Sequence, residues 1–375
     1  MTQDLLYVST RKGLMMYERN GAGWKLGDIA FRGQPVTMAL PSKDGRTVFA
    51  ALNLGHFGVK LHRTDDAGKT WTELQPPRFP KQPPSPKFPP DPNDPPPTPS
   101  SEPKGPSVSA IWAMAWGGPA GHVWAGTTPG GLFHTTDNGV TWRLVESLWD
   151  NPERLRWMGG GTVEPALHSI SVDPRDHNRV AVAVSCGGVW RTSDSGKTWT
   201  IGSNGMINDY MPPNLQGDPV TQDPHLVVQS PSSPEVFWCQ HHNGIFHCAD
   251  DLKTWKRIVG APVSSFGFAV AVHPRDGNTA WFVPADKDQT RMPVDGKIVV
   301  NRTRDGGKTF DVLRKGLPQE NAYDLVWRHG LAVNRDGTLL AMGSSTGGLW
   351  VSDNEGDAWT NLSAHLPPIH AVCFA

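Results

Sequence analysis

The chain has 375 residues, a formal net charge of -1 and a near-neutral pI, and it is rich in Gly (40), Pro (35) and Trp (16). That composition, with no long helical period, points to many short strands joined by tight turns. It carries no basic run or stripe to suggest nucleic acid, and no apolar run near the ~20 residues that span a bilayer.

Taken in chain order, the segments repeat. The N-terminal "LLYVSTRKGLMMYERNGAGWKL" parallels "HVWAGTTPGGLFHTTDNGVTWRL" at 122–144, with Trp24 in the position of Trp142. The start shows no charged region followed by an apolar one, so no secretory signal is expected. Four cysteines, Cys186, Cys239, Cys248 and Cys373, lack CxxC spacing, which fits a reduced, cytoplasmic chain. A bridge between Cys239 and Cys248 on neighbouring strands stays open. Residues 76–106 hold 15 of the 35 prolines and read as an extended insertion, a lid, a strap or a docking segment.

One motif recurs as "TDDAGKTW" (64–71), "TTDNGVTW" (135–142), "TSDSGKTW" (192–199) and "TRDGGKTF" (303–310), with worn copies "CADDLKTW" (248–255) and "SDNEGDAW" (352–359). Its chemistry is that of a hairpin turn. The Asp accepts backbone N–H groups within the turn, the Gly supplies a positive φ, and the aromatic residue opens the next strand. The pattern resembles the Asp-box, or BNR, repeat of sialidases, sortilin-type receptors and related β-propellers. The resemblance implies that the turn lies on the outer rim and joins the third and fourth strands of a blade. Asp66, Asp137, Asp194 and Asp305 are therefore expected to be structural.

Counting repeats gives an all-β, seven-bladed β-propeller of four-stranded blades in a single domain. The blades fall at about 369–375 plus 1–33, 34–75, 107–150, 160–205, 222–262, 263–317 and 322–365. The last strand is expected to pair with the N-terminal blade and close the ring, leaving no open sheet edge.

Binding residues of a propeller gather on the loops around the channel mouth. Aligning first strands places His168, His225, His329 and His370 in one slot of four blades, with Val36, Trp112 and Phe268 in the others. Imidazole is the common ligand of divalent transition metals. The four are candidate ligands for Mn, Fe, Zn, Cu or Ni, with a metal-free polar site and a structural role as alternatives. Glu164, Asp223 and Asp324 follow at the mouth as acid–base or orienting groups. His242 and Tyr323 are further catalytic candidates, while Arg11, His56, His241 and Arg328, with Arg291, are candidate substrate contacts. Cys186 with a nearby His is a weaker candidate nucleophile.

The resemblance covers the scaffold. Sialidases have six blades, three arginines, a Tyr–Glu pair, an Asp acid and an N-terminal F/Y-R-I-P segment, and this set is not evident here. Three functions fit the sequence. One is a cytoplasmic, metal-dependent enzyme, a lyase, hydrolase or oxygenase, with a His-lined site at the channel mouth for a small polar or sugar-like substrate. The second is a metal-free glycosidase using a carboxylate pair drawn from Glu164, Asp223 and Glu320. The third is a non-catalytic binding or assembly propeller.

Overall fold

The computed structural model describes residues 4–21, 23–80, 106–160, 163–287 and 289–375. Most of the Pro-rich insertion therefore lies outside the described residues, as do the roles considered for it. Seven four-stranded antiparallel sheets form a β-propeller. Their first strands, Val36–Pro41, Ala110–Trp116, Leu167–Val172, Pro224–Gln229, Gly267–Val272, Leu331–Val333 and Ile369–Phe374, touch one another in a closed ring around the channel. Ile369–Phe374 pairs with Leu5–Thr10, so the C-terminal strand completes blade one.

The second strands are buried along nearly their whole length, most apolar in "VAVAV" at Val180–Val184 and "AWFVP" at Ala280–Pro284, because both of their faces are covered. Each of the seven gaps between adjacent blades is filled by its own apolar cluster. Trp124, Trp238 and Trp281 are among the largest fully buried side chains.

The recurring turn has one geometry. In its first copy the Thr64 hydroxyl donates to Asp66 Oδ1 (2.7 Å) and accepts from the Gly68 N–H (3.0 Å). Asp66 also accepts the Thr70 N–H and hydroxyl at 2.9 and 2.6 Å. Asp137, Asp194 and Asp305 do the same in their turns. Hydrogen bonds from Thr141 and Thr309 hold the Asp137 and Asp305 carboxyls down at about 2. The worn copy at 248–255 keeps the shape with other atoms. Cys248 Sγ accepts the Leu252 N–H at 3.2 Å, and Asp251 and Leu252 take positive φ (62° and 61°) where other copies carry Gly at the second position.

All four cysteines are free thiols. Cys239 stands opposite Phe246 and Cys248 opposite Phe237, so the two thiols are out of register and the disulfide left open by the sequence is not formed. No helix among the described residues is long and apolar enough to cross a membrane.

Candidate functional site

First strands of six blades carry a bulge at the same place, near the mouth. The skipped residues include His168, His225, Trp112, Thr37 and His370, and in blade six the bulge spans Phe268 and Ala269. A bulge re-aims a side chain, and here it aims several of them at the next blade. His370 Nδ1 meets Val36 O (2.9 Å), Thr37 Oγ1 meets Ile111 O (3.1 Å), and His225 Nδ1 meets Gly267 O (2.7 Å). His168 is held to the Pro224 backbone in the same sense.

This geometry changes the reading of the histidine slot. Its occupant in blade two is Thr37, one residue beyond the expected Val36. His329 lies outside the short strand Leu331–Val333, and its Nε2 reaches His168 O at 2.9 Å. His168, His225, His329 and His370 each engage main chain, and they do not converge as one four-ligand set among the described residues. The pattern seen in sequence reflects blade-to-blade hydrogen bonding around the channel.

The structure gathers instead a group that shares only His225 with that set. A cavity of about 250 Å³ is lined by Met158, Gly159, Gly160, Cys186, Tyr210, Asp223, His225, His242, Phe268, Arg291 and Arg328. Asp223 is its centre and is 4% exposed. His242 Nδ1 lies 3.6 Å and His225 Nε2 3.9 Å from Asp223 Oδ2. The Tyr210 hydroxyl donates to the same oxygen at 3.3 Å, and the Cys186 N–H to Oδ1 at 3.4 Å. His225 stacks on Phe268 (4.4 Å, 10° between planes), and Phe266 stands edge-on to both His225 and His242.

Two guanidinium groups complete the wall. Arg328 is buried, its carbon 5.0 Å from the Trp112 ring centre and 5.4 Å from that of Phe268, and its Nε has no hydrogen-bond partner. Burial pushes it down to about 10, opposed by Asp223 and assisted by Arg291. Arg291 also lies over Phe268, at 5.6 Å. Among the described lining residues Asp223 is the one carboxylate, so the cavity wall carries more positive than negative charge.

Other candidates fall elsewhere. His241 ends the strand Phe237–His241, while His242 opens the turn that follows, and His241 is fully buried. Its ring nitrogens face the N–H groups of Asp223 and Asn243, both at 3.0 Å, so it braces the turn and does not line the cavity. His56 is exposed and packs on Phe57 at 3.8 Å, outside the cavity. Tyr323 is 62% exposed and Asp324 accepts from Ser344 at 2.6 Å, capping a turn. Glu164, Glu320 and Arg11 are exposed and do not line the cavity. Cys186 does line it, but burial and then the Asp223 charge push its thiol up to about 12, which disfavours the thiolate a nucleophile needs.

Sequence reasoning missed Tyr210. Its loop belongs to no repeat, and the lone Asp–Tyr pair at 209–210 was the sole cue.

No family model matches the chain, and no relative was found among the curated proteins. Similarity lies with solved structures. A proposed 6-phosphogluconolactonase from Bacteroides uniformis superposes with a TM-score of 0.61 at 11% identity, covering 100% of both chains. An ancestral GH74 enzyme gives 0.56 at 15% identity, covering 92% of this chain and 38% of its own, so this chain spans well under half of that enzyme. YCF48 bound to D1 peptide gives 0.53 at 13% identity, covering 96% and 84%. These likenesses establish the propeller fold.

Buried neutral imidazoles give the chain a defined acid response. Desolvation lowers His241 from 6.5 to about 3, and His329 and His134 to about 4. Because each folded value lies below the unfolded one, their contribution is complete above pH 6.5 and is lost as pH falls toward those values. The urea midpoint is expected to drop steadily from pH 6.5 to 4.5, and less steeply in His241→Gln. An unchanged slope in that variant would remove His241 from this account.

Proposed function

We propose that the chain is an enzyme, a hydrolase or lyase, acting on a small polar or sugar-like substrate with an anionic group. The observation that supports this reading is one cavity in which a buried carboxylate faces two imidazoles and a phenol beside two guanidinium groups. Carboxylate–imidazole contacts suit the taking and returning of a proton. Arg328, with a donor unspent, and Arg291 suit an anionic group, since guanidinium pairs two N–H donors with two oxygens. A two-carboxylate glycosidase is disfavoured because Glu164 and Glu320 stand outside the cavity. We assign the recurring turns to the Asp-box type, and the free thiols accord with a cytoplasmic setting.

Calorimetry with glucuronate, glucose 6-phosphate and glucose, with turnover followed by NMR, tests the reading. The charged sugars are expected to bind and glucose is not. Arg328→Met is expected to weaken binding at least ~10-fold, the scale of a lost charged hydrogen bond. Equal binding of glucose, or a folded Arg328→Met protein with undiminished affinity, would sink the anionic substrate. Binding without turnover across a wider set of sugar acids would favour a binding propeller.

A further inference from the structure

We infer that Asp223, His225 and His242 together hold a divalent transition metal whose open positions face the cavity. The inference rests on the reading of this cavity as the reaction site and adds what occupies its centre. The three ligand atoms lie within 4.8 Å of one another, and among the described residues no other set of His, Cys, Asp or Glu side chains meets that condition.

His225 carries the argument. Gly267 O can only accept, so the 2.7 Å contact puts the proton of the neutral ring on Nδ1. The lone pair of Nε2 then lies 3.9 Å from Asp223 Oδ2, another acceptor. His242 Nδ1 approaches the same oxygen at 3.6 Å. Metal bonds of ~2.0–2.2 Å set neighbouring ligand atoms roughly 3.0–3.5 Å apart, so small shifts of the Asp223 carboxylate and the His242 ring toward His225 close the set. A ring N–H bonded to a carbonyl is the outer contact that orients metal-bound histidines. Phe266 and Phe268 wall two sides of the rings. Two histidines and one carboxylate leave positions open, the arrangement of reactive rather than purely structural centres. Arg291 and Arg328 oppose a lone dication, so metal and an anionic substrate are expected to favour each other's binding.

The test strips the full-length protein with chelator and titrates it with Co²⁺, then Zn²⁺, alone. Visible absorption, calorimetric stoichiometry and elemental analysis are the readouts, and urea unfolding confirms that each variant is folded. One Co²⁺ per chain is expected. Affinity should fall in His242→Ala and His225→Gln by more than the ~10–100-fold that loss of an outer contact costs, and should persist in His56→Ala. A folded parent that takes up neither ion stoichiometrically would overturn the inference, as would undiminished binding in His242→Ala. Sugar-acid binding measured on metal-free samples reports separately on the proposed function.

Discussion

Asp223→Asn is expected to lower turnover of the cognate substrate by roughly 10²–10⁴-fold, the range of a lost proton-transfer partner. The substitution keeps the shape of the side chain and an oxygen for the Cys186 N–H, but removes the negative charge. That charge is shared by every reading of the site. It faces both imidazoles, accepts from Tyr210, and is the nearest balance to Arg328. Removing it leaves a buried guanidinium without its countercharge, which costs stability as well as activity. The two effects separate by measurement. Turnover is read well below the unfolding midpoint, and Tyr210→Phe, which deletes one donor and no charge, should cost far less of both. An Asp223→Asn enzyme that is folded and works at the parental rate would move the reaction out of this cavity.

Six copies of the turn motif and the N-terminal parallel with Trp24 yielded seven blades, because Thr64, Asp66 and Gly68 spell out a hydrogen-bonded shape that the other copies repeat. His168, His225 and His370 do share a bulge position, without His329, and its cause was hidden: the bulge directs His225 and His370 onto the next blade's carbonyls, as it does Thr37. Neither a bulge nor a carbonyl has a sequence signature. Asp223, His242 and Arg328 were named as candidates from mouth loops, and the structure brings them together. His241 and His242 look alike in sequence, but the strand ends at His241, which is buried, and His242 opens the turn and lines the cavity. Tyr210 arrives from a long irregular loop between blades, where no period guides the eye.

Trp281→Ala is expected to destabilise the chain by about 3–5 kcal/mol, the cost of emptying a fully buried aromatic site. Trp281 is fully buried in the cluster between blades six and seven, against Trp350 and Trp359. Its Nε1 donates to Glu355 O at 2.9 Å, in the turn of blade seven. Arg302 donates to that same carbonyl, so the loss falls mainly on packing. Urea unfolding gives the magnitude, and Trp281→Phe should recover most of it. The consequence extends to the cavity. Phe268 of blade six packs on Trp327 and lies 5.4 Å from the Arg328 guanidinium, across the same interface. A loosened interface should therefore weaken sugar-acid binding before the chain unfolds. A Trp281→Ala protein with near-parental stability would mean that ring closure, rather than this cluster, holds blades six and seven together.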